Sequence, residues 1–125
     1  MRQKIQATLL IVAALLISCE KKLPRLDGVD LTLWKNDRQG CNGIRTTMLD
    51  SITGQKDELL GLSENAIMGL LGRPDVNELY RRNQKFYHYY LTPGPDCGLD
   101  PIATRLLIRF NALGLAKQVI VEKGV

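Results

Sequence analysis

Histidine and aromatic residues are scarce in this 125-residue chain. There is one histidine, and Phe, Trp and Tyr together make up 6% of the sequence. Catalytic or metal sites that need several imidazoles are therefore excluded. The chain also has no Cys-x-x-Cys pair, no glycine-rich phosphate loop, no EF-hand spacing and no nucleophile-elbow motif. These absences favour a protein that is not an enzyme and that needs neither a cofactor nor a metal.

The remaining candidates for chemistry are isolated in the sequence. His88 lies in a predicted strand between aromatic residues, where a packed or edge position is more usual than a catalytic or ligand role. Asp96 and Asp100 flank Gly98 in a predicted loop and could hold calcium, but they lack the spacing of a calcium-binding loop. We therefore predict no metal site.

The first 18 residues have the pattern of a signal peptide. Arg2 and Lys4 precede an uninterrupted apolar run from Leu9 to Ile17, which is shorter than the ~18–20 residues of a membrane-spanning helix. The run ends in Leu16-Ile17-Ser18-Cys19, which resembles the lipobox of bacterial lipoproteins. The resemblance implies cleavage before Cys19 and acylation of its thiol and new amino group. An ordinary signal peptide followed by a chance cysteine is the alternative.

The mature chain would be held at a membrane surface by this lipid anchor. Residues 19–30 have no sustained apolar period and are predicted to form a flexible tether, and residues 31–125 form the folded domain. Removing Arg2 and Lys4 with the signal leaves 15 basic against 13 acidic residues. Because nucleic-acid binding needs a concentrated basic face, we predict no nucleic-acid partner.

The residue after Cys19 bears on the destination of the lipoprotein. It is Glu20, whereas an aspartate at this position retains lipoproteins in the inner membrane of well-studied envelope systems. The following Lys21-Lys22 lacks the acidic cluster that some lineages use for export to the cell surface. The sequence therefore predicts a lipid-anchored protein of the cell envelope, on the outer membrane and facing the periplasm.

Two cysteines remain once Cys19 is assigned to lipid. Cys41 and Cys97 form an even pair in an exported chain, which favours a disulfide; two unrelated thiols are the alternative. The bond would close a loop of about 57 residues and contribute about 4 kcal/mol in the chain-entropy model.

The order of predicted elements is two helices followed by three strands. Residues 31–37 are predicted as a short extended segment that Trp34 anchors to the core. Ile44, Met48 and Ile52 are spaced for a first helix that ends at Gly54 or Leu59. The second helix is predicted from Glu64 to Leu71, with a Ser63 N-cap and a stop at the glycine and proline that follow.

The second half of the domain is predicted as a meander. Residues 75–84 form a polar connection with Tyr80 tucked inward, and strands cover residues 86–91, 104–110 and 115–122. A rigid loop spans Thr92–Gly98, and Asn111–Gly114 forms a hairpin turn. This pattern predicts an α+β fold in which two helices pack on a three-stranded antiparallel sheet, an ααβββ two-layer sandwich.

Several short motifs resemble those of the SmpA/OmlA (BamE-like) outer-membrane lipoproteins. They are Gly61-Leu62-Ser63 at a helix start, Leu70-Leu71-Gly72 with Pro74 at its end, an aromatic strand, and Phe110-Asn111-x-x-Gly114 at a turn. The resemblance covers residues 60–121 and implies the same ααβββ order. It also implies a non-catalytic role, in one branch as an accessory subunit of the machinery that inserts β-barrel proteins.

Two segments depart from the pattern of that family, namely residues 34–45 and the proline-rich loop around Cys97. We therefore expect a protein-interaction or outer-membrane assembly and integrity module with its own envelope partner. The alternative is an inhibitor-like or ligand-binding module of the β-lactamase-inhibitor-like fold. The candidate interaction surface consists of Trp34, Arg45, Tyr87, Tyr89, Pro93 and Pro95.

Overall fold

A computed structural model describes residues 21–79, 84–98 and 102–124 of the chain. The predicted signal peptide, Cys19, Tyr80 and Asp100 lie outside the described residues. The helices are α1 (Leu31–Asn36), α2 (Ile44–Thr47), α3 (Leu49–Gly54) and α4 (Glu64–Leu71), and the strands are β1 (Val76–Leu79), β2 (Lys85–Tyr90), β3 (Arg105–Phe110) and β4 (Ala116–Glu122). Short 3₁₀ turns cover Arg38–Gly40, Lys56–Leu59 and Pro95–Cys97.

The described strands form one antiparallel sheet in the order β1-β2-β3-β4, so each strand pairs with its neighbour along the chain. The α+β class is confirmed, but the prediction of three strands is wrong. The segment expected to be a polar connection forms β1, which pairs with β2 from Val76↔His88 to Leu79↔Lys85. The polar residues Asn77 and Glu78 give this strand no clear apolar alternation, because an edge strand with solvent on one side needs little of it. The sequence pattern therefore did not indicate a strand here.

The segment at residues 31–37 is also different from the prediction, because it is helical rather than extended. The Asp30 side chain caps α1 by accepting hydrogen bonds from the backbone amides of Thr32 and Leu33, both at 3.1 Å. An N-cap of this kind satisfies amides that have no partner within the helix. The alternation of Leu31 and Leu33 suggested a strand, but the N-cap Asp30 favours a helix at these residues.

The two predicted helices correspond to three helices in the structure, α2, α3 and α4. The first divides at Met48, whose φ of −101° and ψ of 2° separate α2 from α3. The second forms as predicted from Glu64 to Leu71, and the Ser63 hydroxyl accepts a hydrogen bond from the Ala66 amide at 3.1 Å. Strong caps at both ends explain why its bounds were predictable.

The hydrophobic core lies between the helices and one face of the sheet. β2 contributes Tyr87 and Tyr89, and the following Leu91 lies on the same side, as the alternation predicts. The core also contains buried side chains from β3, α1, α3 and α4, including Leu106, Ile108, Phe110, Trp34, Ile52 and Ile67, and Ile44 of α2 packs against it.

The described part of the segment predicted as a tether lies against the helices. Leu26 is buried in the core, and Asp27 exchanges two hydrogen bonds with Gln55. Val29 also packs against the core, although the composition of the segment is mostly polar. Within the part of the chain that the structure describes, no helix has the length and apolar character to cross a bilayer.

Candidate functional site

A buried charge pair connects α2 to the start of β1. Arg45 lies in α2 with its side chain 1% exposed, and its Nη1 atom is 2.6 Å from Oδ2 of Asp75, whose side chain is fully buried. The same nitrogen donates to the carbonyl of Tyr90 at 3.2 Å, and Nε donates to the carbonyl of Trp34 at 3.0 Å. The guanidinium carbon lies 4.6 Å from the centre of the Trp34 ring, a cation–π arrangement.

Asp75 completes its hydrogen bonds with backbone amides. Oδ1 accepts from Gln39 N at 3.0 Å, and Oδ2 accepts from Tyr90 N at 2.8 Å. The carboxylate therefore joins the Arg38–Gly40 turn, β2 and α2 at one point. A buried ion pair is tolerated when its remaining lone pairs are satisfied in this way. No local pattern in the sequence indicates Asp75 as a partner of Arg45, because 30 residues separate the two.

A second buried carboxylate orders the chain between α1 and α2. The Asp37 Oδ1 atom accepts from Asn42 N at 2.7 Å, and Oδ2 accepts from Arg45 N at 2.9 Å. Asp37 itself is fully buried. The segment that departs most from the resembled family is thus folded around two carboxylates, Asp37 and Asp75.

Two aromatic residues terminate α4. Trp34 Nε1 donates to the carbonyl of Leu71 at 3.0 Å, and the Tyr89 hydroxyl donates to the carbonyl of Gly72 at 2.8 Å. The final carbonyls of a helix have no partner within it, so these side chains supply what the backbone lacks. Burial raises the pKa of Tyr89, which keeps the hydroxyl protonated as a donor.

The predicted interaction surface is therefore mostly wrong. Trp34, Arg45 and Tyr89 are fully buried, so none of the three can contact a partner from this position, and Tyr87 is 2% exposed. Each of the four has a polar partner inside the domain, and the burial of Trp34 agrees with its predicted role as a core anchor. Of the predicted set, Pro93 is half-buried and Pro95 is exposed.

The predicted disulfide is confirmed. Cys41 and Cys97 are bonded, with their Cα atoms 5.3 Å apart. It joins the turn Arg38–Gly40 to the loop Thr92–Gly98, and Gly94 N donates to the carbonyl of Gln39 at 2.8 Å beside it. Gly40 permits this close approach, since its φ is 65° and a Cβ atom there would lie 3.0 Å from the carbonyl oxygen of Thr92. The loop is therefore held in place at several points.

A second polar cluster crosses the face of the sheet opposite the core. Arg105 Nη1 lies 3.0 Å from His88 Nδ1 and pairs through Nη2 with Glu122 Oε2 at 3.0 Å. Arginine can only donate, so Nδ1 accepts and the imidazole proton resides on Nε2. That atom is 3.2 Å from Glu78 Oε2, without hydrogen-bond alignment. Burial lowers the pKa of His88 and favours this neutral form.

A groove lies between the start of α4 and the β3–β4 turn. Its volume is about 460 Å³, and its lining includes Glu64, Lys85, Tyr87 and Leu113. Glu64 Oε1 accepts from the Tyr87 hydroxyl at 3.1 Å and pairs with Lys85 Nζ at 2.7 Å. Burial, together with the Glu64 charge, raises the pKa of Tyr87 to about 12.

The exposed proline loop borders a second cavity, of about 300 Å³. Tyr90, Pro95, Arg105 and Glu122 are among its lining residues. Asp96 lies in the same loop, but the calcium hypothesis also requires Asp100, which is outside the described residues. Among the residues that are described, no group of three or more His, Cys, Asp or Glu side chains could hold a metal ion.

Comparisons with protein families, with curated proteins and with solved structures give no match for this chain. The resemblance to the SmpA/OmlA lipoproteins therefore stays a prediction from the sequence motifs.

Proposed function

We propose that this protein is a lipid-anchored, non-catalytic interaction module of the cell envelope. The observation that carries the proposal is Leu16-Ile17-Ser18-Cys19, which directly follows a basic start and an apolar run of signal-peptide length. The bond between Cys41 and Cys97 supports it, because stable disulfides are typical of exported proteins and rare in the cytosol.

The partners of the buried polar groups support a binding role rather than catalysis. Arg45 and Asp75 use their side chains on each other and on backbone groups in the interior. His88 accepts a hydrogen bond from Arg105 within a cluster that spans the four described strands of the sheet. Groups whose hydrogen bonds and ion pairs connect the helices and strands of the domain suit a rigid platform for another macromolecule.

We further propose an outer-membrane, periplasm-facing location and a protein partner in the envelope. Glu20 after Cys19 favours the outer membrane, and the motif resemblance favours the machinery that inserts β-barrel proteins. The two segments outside that resemblance meet at the disulfide. A partner specific to this chain would be recognised there, through the exposed parts of the Thr92–Gly98 loop.

Processing and localisation test the first half of the proposal. Cys19→Ala should leave an uncut precursor that does not reach the outer-membrane fraction, whereas Cys41→Ser should be cut and sorted normally. Normal cutting and outer-membrane recovery of Cys19→Ala would contradict lipid anchoring. Recovery of the unaltered protein in the inner membrane would contradict only the proposed location.

An inhibitor-like or ligand-binding module is the second candidate. The observation in its favour is that the Thr92–Gly98 loop is fixed at its base while Pro95 is exposed beside a cavity of about 300 Å³. A preformed loop can enter the cleft of a partner at a small entropic cost.

Photo-crosslinking from the exposed Asp96 position separates the two candidates. Crosslinks in the native envelope to an integral β-barrel protein or its assembly complex would support the interaction module. Crosslinks to a soluble hydrolase would support the inhibitor. The same crosslinker at Asp50, an exposed residue of α3, serves as the control position.

A further inference from the structure

Three exposed leucines lie at one end of the sheet. The register Leu79↔Lys85↔Phe110↔Ala116 places Leu79 in the row of residues from which the β3–β4 turn begins. The turn carries Leu113, and Leu115 follows it. The exposed fractions of Leu79, Leu113 and Leu115 are 72%, 83% and 38%. We call these three residues the leucine end.

The N-terminal segment attaches to the domain beside the leucine end. Lys21 Nζ donates to the carbonyls of Glu58 and Leu60, at 3.0 and 2.5 Å. The next residue, Gly61, donates its amide to the carbonyl of Ala116 at 2.8 Å. Ser63 then forms a β-bridge with Leu115. The Lys21 side chain, followed by the backbone contacts of Gly61 and Ser63 with Ala116 and Leu115, therefore links the N-terminal segment to the leucine end.

The lipid anchor would be close to this position. Cys19 is two residues before Lys21, and two residues of extended chain span at most about 7 Å. If Cys19 is acylated, as proposed above, the acyl chains hold the side of the domain that carries Leu60 near the bilayer surface. The leucine end is on that side, since Leu115 pairs with Ser63 three residues later.

We infer that the leucine end inserts into the interfacial region of the bilayer that holds the lipid anchor. Exposed leucine side chains gain free energy when they leave water for the boundary between headgroups and acyl chains. Lys22, which follows Lys21, and Lys117, two residues after Leu115, are both exposed. Their ammonium groups can contact anionic headgroups at the membrane surface. The inference rests on the proposed anchoring at Cys19 and adds the orientation of the domain.

Leu33 provides a matched control at the opposite end of α4. It is 46% exposed in α1, and the neighbouring Trp34 donates to the carbonyl of Leu71 at the last residue of α4. The leucine end lies instead at the first turn of that helix, where Glu64 N donates to the carbonyl of Gly114. A probe at Leu33 should therefore remain in water when the domain sits on a membrane as inferred.

The test uses the full processed lipoprotein in vesicles of phosphatidylethanolamine and phosphatidylglycerol. Leu113→Cys introduces a single reactive thiol, because the mature chain has its other cysteines acylated or in the disulfide. An environment-sensitive fluorophore on that thiol should show blue-shifted emission and iodide quenching several-fold weaker than the same label in Leu33→Cys. Leu79→Cys should behave like Leu113→Cys, though its shift should be smaller.

Equal iodide quenching at Leu113 and Leu33, in protein that mass spectrometry shows to be acylated and vesicle-bound, would overturn the inference alone. A label at Leu113 that becomes shielded only when a protein partner is added would also overturn it, since the surface would then be a protein-docking site. Absence of acyl groups on Cys19 would contradict the proposed anchoring and this inference together.

Discussion

Arg45 and Asp75 are 30 residues apart in the sequence and form a buried salt bridge, with 2.6 Å between Nη1 and Oδ2. The pair attaches α2 to the start of β1. The Asp75 carboxylate also accepts hydrogen bonds from backbone amides of the turn Arg38–Gly40 and of β2. It thus fixes the helical half of the domain to the sheet, next to the disulfide and the exposed loop.

Removing one member of this pair should be costly. Asp75→Ala leaves the Arg45 guanidinium buried without a counter-charge, so the free energy of unfolding should fall by about 3–5 kcal/mol. Chemical denaturation of the purified protein measures this value. Arg38→Ala is the control, because Arg38 lies 4.0 Å from the other Asp75 oxygen with its side chain 53% exposed, and its loss should cost less than about 1 kcal/mol. Equal effects of the two substitutions would contradict the central role of the buried pair.

Reduction of the disulfide should destabilise the domain and loosen the loop first. Opening a loop of this length removes a constraint on the unfolded chain worth about 4 kcal/mol in the chain-entropy model. Thermal unfolding with and without reductant should show a lower Tm after reduction, and the Gly94 amide, which donates to Gln39, should exchange faster. The double variant Cys41→Ser, Cys97→Ser is the control, since its Tm should not respond to reductant. Two titratable thiols in protein isolated from the periplasm would contradict the bond.

Gly40 should be intolerant of a side chain. Gly40→Ala places a methyl group 3.0 Å from the Thr92 carbonyl at a φ of 65°, which should lower the free energy of unfolding by about 1–3 kcal/mol. Gly54→Ala is the matched control, because nothing lies within 4 Å of a Cβ atom there and alanine favours the helix. Denaturation curves of the two variants should therefore move in opposite directions. A neutral Gly40→Ala would show that the turn and the loop are not in close contact.

Stability should decrease in mildly acidic solution because of His88. Burial holds the pKa of His88 below its ordinary value of 6.5, so the unfolded chain binds a proton at a higher pH than the folded chain does. The free energy of unfolding is then unaffected well above pH 6.5 and falls as the pH decreases below that value. Protonation at Nδ1 would also oppose Arg105, while Glu78 and Glu122 partly compensate.

The measurement compares the pH dependence of unfolding in the unaltered protein and in His88→Gln between about pH 7 and pH 5. The difference between the two curves isolates the histidine from the carboxylates, and the unaltered protein should lose more stability. Parallel curves would contradict the assignment of a lowered pKa.

Local signals predicted the elements whose ends are marked in the sequence. Ser63 and the glycine–proline stop defined α4, and the Asn111–Gly114 turn placed the hairpin between β3 and β4. The disulfide was predicted from the count of cysteines in a chain with a predicted export signal. These features depend on residues that are adjacent in the sequence or on composition alone.

The remaining features depend on partners that are distant in the sequence. β1 forms because it pairs with the edge of β2. The helix breaks at Met48, although the apolar residues keep a helical spacing through this position. Arg45 was predicted to lie on an interaction surface. In the structure it is buried, because Asp75, 30 residues away, provides its counter-charge. No local pattern in the sequence contains such pairings.

The most direct test of the central claim is mass spectrometry of the N-terminal peptide of the mature protein, isolated from membranes of the expressing cell. The account predicts a peptide that begins at Cys19 and carries a diacylglycerol group on the thiol, with a third acyl chain on the amino group in organisms that add one. A peptide beginning at another residue, or an unmodified Cys19, would contradict it.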